Sequence, residues 1–214
     1  MLGFNFLNHV LKIRIDSKKE TIYRFKWQSM SKIKLYIAPS IDGFIATKMN
    51  SLDWLDTMEN SNNIDHDYGE FLSGIDTVVM GRSTYEEIMS FGVDWPYAEC
   101  DTCIFTSSTD LKIQTQRTTL LHNLNANAID QLKEKCKKDI WFAGGGSLVS
   151  GFINLEAIDK ITITIIPILL SEGMQLFQNH PKETQSKLSS AKPFKIGAVI
   201  SDTSVWPRLS EHVL

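Results

Sequence analysis

The sequence has only three cysteines, and that shortage excludes several chemistries. Cys100 and Cys103 form one C-x-x-C pair, and Cys136 stands far from it. A zinc site asks for four ligands at short spacings, and no second pair follows. No metal is therefore expected. A thioredoxin-like redox pair would open a helix, whereas Cys103 begins the strand-like CIFT. The thiols read as reduced and structural, which points to a cytoplasmic chain. Long apolar runs are also missing, and nothing approaches the roughly 20 residues that span a bilayer. Positive charge is not in excess. The 22 Lys and Arg against 25 Asp and Glu leave a net charge of −3, which argues against nucleic acid as the main partner.

Common glycine signatures are absent too. There is no G-x-x-x-x-G-K-[ST], so no P-loop. There is no G-x-G-x-x-G after the first strand, so no ordinary Rossmann fingerprint. A nucleophile elbow would need G-x-S-x-G, but Val149 stands two residues after Ser147. That mismatch disfavours a hydrolase built on Ser147.

The 214 residues fit one domain, without internal repeats or a Gly/Ser linker. Hydrophobic content of 43% and charged content of 22% are ordinary for a soluble globular chain. The opening MLGFNFLNHVL is apolar but lacks the positive leader and cleavage site of a signal peptide. Residues 1–29 are expected to be a poorly ordered extension before a domain at 30–214, with Met30 as an alternative start.

From Lys32 onward strands alternate with helices. Strands are expected at 33–38, 76–80, 102–106, 118–121, in the DIWFA run from 139, at 159–170 and at 194–206. Helices are expected at 51–58 with Ser51 as N-cap, at 66–74 closed by Gly74, at 83–91, at 127–138 and from Gly146 onward. The last two strands have no helical pattern between them, which predicts antiparallel closure. The class is α/β: a mostly parallel sheet with helices on both faces and an antiparallel C-terminal edge.

Ligands of open α/β sheets gather at the carboxyl ends of the strands. Three such ends carry chemistry suited to an anion. In VVMGRSTYEE the strand ends at Gly81, and Arg82, Ser83 and Thr84 lead into a helix that Ser83 or Thr84 could cap. Helix N–H groups and a forked guanidinium both suit phosphate. In CIFTSSTD, Ser107 and Ser108 could bond a ribose or phosphate, although serine-rich loops are common. In DIWFAGGGSLVSGFI, Gly144, Gly145 and Gly146 allow a close backbone approach, and the next helix aims its N-terminus at the same place. A tight strand-to-helix turn is the plainer reading, but one glycine usually suffices for that. Together the three ends fit a dinucleotide lying across the sheet edge, and Arg82 beside hydroxyl-bearing loops suggests an extra phosphate, hence NADPH.

IKLYIAPSIDGFIA, VVMGRSTYEEI, CIFTSS, WFAGGGSLVSGFI and DKITITIIPILLSEGMQLF resemble, in this order, the dihydrofolate reductase superfamily. The branch most like it is the stand-alone proteins related to the reductase half of the bacterial bifunctional riboflavin deaminase-reductase. The resemblance spans about residues 32–205 and implies a dihydrofolate reductase-like three-layer fold with NADPH as cofactor. It implies backbone contacts from Ala38 and Ile45 to the nicotinamide carboxamide. It assigns Gly81, Arg82, Ser83 and Thr84 to the adenosine phosphate and pyrophosphate, and Ser107 and Ser108 to the adenosine side. Gly144, Gly145, Gly146, Ser147 and Leu148 match the pyrophosphate turn, with a cis peptide expected between Gly144 and Gly145. Such a bond costs about 3 kcal/mol outside proline. Gly173 and Phe177 match the loop near the nicotinamide.

Departures from the pattern bear on the substrate. The segment ATKMNSLDWL lacks the Pro-Trp pair that dihydrofolate reductases carry after the first strand, which argues against folate. Asp53, before Trp54, matches the acidic substrate residue, and Thr164 the threonine that supports it. Asp53 also stands where a helix start favours an aspartate, and both readings remain open. The deaminase signature H-x-E…P-C-x-x-C is missing. The implied chemistry is a hydride passed from the nicotinamide to a pyrimidine or pteridine ring, as in the ribosylaminouracil step of riboflavin synthesis, with a part-buried Asp53 donating or relaying the proton. Tyr36, Trp54 and the DWPY segment (94–97) could wall a flat ring, although core packing is the commoner role for each. The competing reading is a nucleotide-binding module without catalysis. The oligomeric state is left open; the C-terminal strands could pair across a homodimer, as the same resemblance implies.

Overall fold

The computed structural model describes residues 31–55 and 68–205. The expected extension at 1–29 and the second part of the expected helix 51–58 lie outside those residues. The described chain forms an eight-stranded sheet in the order β5-β4-β3-β6-β1-β7-β10-β9. The strands are β1 (Ile33–Ile37), β3 (Ile75–Gly81), β4 (Asp101–Phe105), β5 (Thr118–Leu121), β6 (Asp139–Gly144), β7 (Lys160–Ile165), β9 (Ser186–Pro193) and β10 (Val199–Val205). Every pairing from β5 through β7 is parallel, while β10 joins β7 and β9 joins β10 antiparallel. β2 (Phe44–Ala46) and β8 (Met174–Gln175) form a separate two-stranded ribbon. The helices are α1 (Tyr68–Ser73), α2 (Arg82–Ser90), α3 (Ala126–Lys135) and α4 (Gly146–Asn154).

The period of two along a strand decides which helix each side chain meets. On β6, Ile140 and Phe142 join the core with Ile129 and Leu132 of α3 and Val149 and Phe152 of α4. Between them, Trp141 points to the other face, among Phe71 of α1 and Tyr85 and Ile88 of α2. Phe142 and Phe152 stack with ring centroids 4.4 Å apart. With both faces covered, the two central strands carry apolar runs, VVM in β3 and IWFA in β6, as buried parallel strands do. This is the α/β architecture expected, with helices on both faces and an antiparallel edge.

Four local expectations need correction. Neither Ser83 nor Thr84 caps α2; Gly81 is its N-cap and no side chain bonds there. The described residues contain no cis peptide, so the Gly144–Gly145 bond is trans. The bend is made instead by positive φ at both residues, 134° and 99°, which glycine adopts without the cost of a cis amide. The Asp53 segment is a short 3-10 turn, Asp53–Leu55, rather than a full helix within the described residues. Ser51 stands two residues before that turn, its hydroxyl accepting from the Asp53 amide at 3.1 Å. β9 was not foreseen. Its sequence, SKLSSAKP, is exposed along its whole length, so it carries no alternation of apolar and polar residues to mark it.

Candidate nucleotide and substrate site

The parallel register brings the expected strand ends side by side. Met80 pairs with Gly144, Gly81 with Phe105, and Leu35 with Phe142. The carboxyl ends of β4, β3, β6 and β1 are thus four neighbours along one sheet edge, carrying Ser107, Arg82, the glycine turn and Ala38 in that order. A β-carbon built on Gly145 would lie 3.7 Å from Thr84 Oγ1 and 4.0 Å from the Gly81 amide nitrogen. The glycine turn and the start of α2 therefore face each other. Both α2 and α4 begin without a side-chain cap. Two helix starts after adjacent strands thus leave first-turn N–H groups without a side-chain acceptor, a chemistry that suits an anion such as pyrophosphate.

The three glycines have different jobs. Gly144 and Gly145 supply the left-handed turn. Gly146 is required for another reason: a β-carbon there would run into the main-chain oxygen of Gln175 and lie 2.9 Å from Gln178 Nε2. The segment after β8 thus packs directly on the turn. Ser150 of α4 donates its hydroxyl to the Gln178 carbonyl. Asn179 Nδ2 donates to Ser147 Oγ at 2.9 Å. Ser147 then keeps its own proton for an anion at the helix start. Leu148, half-buried, packs against the core, and its side chain approaches Gly81. Gln175, Gln178 and Asn179 thus pack on the glycine turn, which the spacing of motifs did not reveal.

At the end expected to take the adenosine, Arg82 is already engaged. Its Nε donates to Glu86 Oε1 and its Nη1 to Asp110 Oδ1, both at 2.8 Å. The hydrogen bonds it donates to Glu86 and Asp110 push the guanidinium above its ordinary range, so it is charged at any working pH. Ser83 and Ser107 are exposed, and the Ser108 amide donates to Thr106 Oγ1 at 3.1 Å.

At the opposite end, the loop after β1 is clasped to the segment after β7. Asp42 accepts from Ser40 Oγ at 2.6 Å, from the Leu170 amide at 3.2 Å and from the Ser171 amide at 2.7 Å. Ile45 lies in β2, and Ala46 pairs with Met174 of β8. Gly173 sits where a β-carbon would run into the Ala46 carbonyl, whereas Phe177 is exposed. Ala38 packs with Trp54, Ile166 and Ala198.

Asp53 is exposed rather than part-buried. It borders a hollow of about 560 Å³ that Met49, Asn50, Leu52, Leu55, Glu87 and Phe91 also line. Thr164 is buried on β7, opposite Ile200 of β10, and no hydrogen bond joins it to Asp53 among the described residues. The structure therefore gathers the residues expected to hold a cofactor but does not join the two expected on the substrate side. Tyr36, Trp95 and Tyr97 belong to the aromatic core around Trp141 and Tyr85, and Trp54 is buried as well. Core packing is what these rings do.

The family model described as the RibD C-terminal domain matches residues 31–200. The chain belongs to the RibD C-terminal domain family. Uncharacterized protein YwjB of Bacillus subtilis strain 168 is 38% identical over 163 residues, covering 76% of this chain and 92% of that relative. Among solved structures, a candidate riboflavin biosynthesis protein from Shewanella sp. PV-4 superposes with a TM-score of 0.75 at 26% identity, covering 82% of this chain and 99% of that one. A Thermotoga maritima diaminohydroxyphosphoribosylaminopyrimidine deaminase/5-amino-6-(5-phosphoribosylamino)uracil reductase superposes with a TM-score of 0.64 at 14% identity, covering 87% of this chain and 60% of that one. Dihydrofolate reductase from Enterococcus faecalis, complexed with NADP(H), gives a TM-score of 0.59 at 17% identity, covering 83% and 99%. This RibD C-terminal domain thus has the dihydrofolate reductase-like fold. The family segment begins just after Met30 and takes in every proposed cofactor residue.

Proposed function

We propose that the chain is an NADPH-dependent reductase acting on a pyrimidine or pteridine type ring. The observation that carries this reading is the placement of Gly145 against Gly81 and Thr84, where two uncapped helix starts meet on neighbouring strands. The family membership and the NADP(H)-bound neighbour support the same coenzyme.

Bound there, the nicotinamide would supply the hydride. The chain's part is position and electrostatics. The first-turn amides of α4, with Ser147 oriented by Asn179, receive the pyrophosphate. Arg82, Ser83, Thr84, Ser107 and Ser108 take the adenosine side. Backbone groups of Ala38 and Ile45 flank the nicotinamide end, where the Asp42 clasp and the β2–β8 ribbon fix the loop. Asp53, which borders the hollow beside that loop, offers a carboxylate to an amidine-like ring edge or carries the proton; Thr164 does not line that hollow, and its supporting role rests on the family resemblance alone. The three cysteines are free thiols, which suits a reducing cytoplasm. No helix among the described residues is long and apolar enough to cross a membrane. A homodimer through the β9–β10 edge completes the reading.

The deciding experiment is titration of the purified chain with NADPH, followed by oxidation of the bound coenzyme in the presence of aminouracil and pteridine compounds. Saturable uptake with ring-dependent oxidation is the expected result. Uptake without oxidation on any such ring favours the non-catalytic module, the reading on whose side the exposed Asp53 carboxylate, not joined to Thr164, stands. No uptake ends both.

A further inference from the structure

The cofactor reading assigns an extra phosphate to Arg82, and the role of Asp110 beside it rests on that reading. In the free protein the groups that would hold this phosphate already share another anion. Arg82 Nη1 donates to Asp110 Oδ1 at 2.8 Å, and the Ser108 hydroxyl donates to the same oxygen. Glu86 is one helical turn along α2 and occupies only the Nε side of the guanidinium. Asp110 arrives from the other direction, within the connection between β4 and β5, with its side chain 75% exposed. An open cleft of about 370 Å³ lies beside the pair, lined also by Glu86, Lys112 and Gln114.

The Asp110 carboxylate therefore stands where an oxygen of a ribose 2′-phosphate would have to stand, accepting from the same two donors. We infer that Asp110 is the residue that sets the choice between 2′-phosphorylated and 2′-hydroxyl coenzyme. A 2′-phosphate brings close to two negative charges beside this carboxylate and must take Arg82 and Ser108 from it. A free 2′-hydroxyl is neutral and can donate to the carboxylate, the contact by which an acidic residue receives the ribose of NADH in other nucleotide folds. The repulsive element of the pocket, as much as Arg82, then decides specificity. The chain takes NADH as well as NADPH, and its preference for the phosphorylated form is held down by one exposed side chain.

The test is calorimetric titration of the intact chain with NADPH and with NADH, in the wild type, in Asp110→Asn and in Glu86→Gln. Asparagine keeps an acceptor for Arg82 and Ser108 but removes the charge, and thermal melting checks that the fold is kept. Asp110→Asn should tighten NADPH about fivefold, the size expected for an exposed charge facing a dianion, and change NADH less than about twofold. Glu86→Gln should shift the ratio of the two affinities less than Asp110→Asn does. An unchanged ratio in a folded Asp110→Asn protein that binds both coenzymes overturns the inference and leaves the cofactor reading standing. If neither dinucleotide binds the wild type, the cofactor reading falls, and this inference with it.

Discussion

The main-chain oxygen of Gln175 lies against the α-carbon of Gly146 so closely that a β-carbon there would overlap it. The relationship ties the end of β8 to the start of α4. Since β8 pairs with β2, one continuous strap links the loop after β1 to the glycine turn. Gly146→Ala must push the strap away, because the obstacle is backbone rather than a flexible side-chain tip. A loss of about 2–3 kcal/mol is expected, the scale of overpacking in a tight site. Gly145→Ala meets nothing closer than 3.7 Å but has φ of 99°, so it should lose about 1–2 kcal/mol through backbone strain alone. Urea unfolding of both variants checks the order. Equal losses would mean that the contact with Gln175 yields easily.

Asp53→Asn separates the roles of the two halves of the site. Asp53 is remote in sequence from the glycine turn and bonds to none of the cofactor residues among the described residues. The variant should bind NADPH within about twofold of the wild type while turnover falls by about 100-fold or more, the scale of a lost general acid. Single-turnover measurements with saturating coenzyme read the chemical step directly. An undiminished rate removes Asp53 from the mechanism and leaves the proton to another group.

How much of this was legible beforehand depends on where the partners come from. The β6–turn–α4 unit was plain because one short stretch carries a buried strand, three glycines and an apolar helix. The strand ends at Gly81 and Thr106 were plain for the same reason. What the sequence could not show is what meets them. Asp110 is 28 residues from Arg82, and Asn179 is 32 from Ser147; no local spacing encodes such pairs. The trans Gly144–Gly145 peptide and the uncapped start of α2 were misjudged because several local conformations serve the same bend, and the packing of neighbouring strands selects among them. β9 was missed because its eight residues face solvent on both sides. Asp110 itself stood two residues past Ser108 in CIFTSSTD, but its meaning needed the Arg82 contact.

The thiols should be slow. Burial pushes Cys103 up to about 11, and burial likewise raises Cys100 and Cys136, although a hydrogen bond from Thr77 works the other way at Cys136. At pH 8 about one Cys103 in a thousand would be thiolate, the form that reacts. A thiol-disulfide reagent at that pH should label the native chain far more slowly than the unfolded chain, with Cys103 the last to react. Rapid native labelling of Cys103 would show that the sheet around β4 opens readily.

Acid should release the clasp at Asp42. The bond from Ser40 is the largest influence on this carboxyl and lowers it; desolvation opposes that bond, and the amides of Ser171 and Leu170 lower the carboxyl further. A carboxyl that is more acidic folded than unfolded stabilises the fold above the unfolded value, near 3.9, and that contribution is lost as pH falls through the lower folded value. Asp42→Asn should therefore melt below the wild type at neutral pH, and the gap between them should close as pH drops below about 4. The amides of Leu170 and Ser171 should also exchange faster in the variant at neutral pH, because the asparagine oxygen is a weaker acceptor for them than a carboxylate. Since this clasp holds the loop flanking the proposed nicotinamide end, the same variant should raise the KM for the ring substrate more than it alters NADPH affinity. A melting gap that stays constant from neutral pH to pH 3 would mean that the carboxyl holds no charge-dependent bond between the two loops.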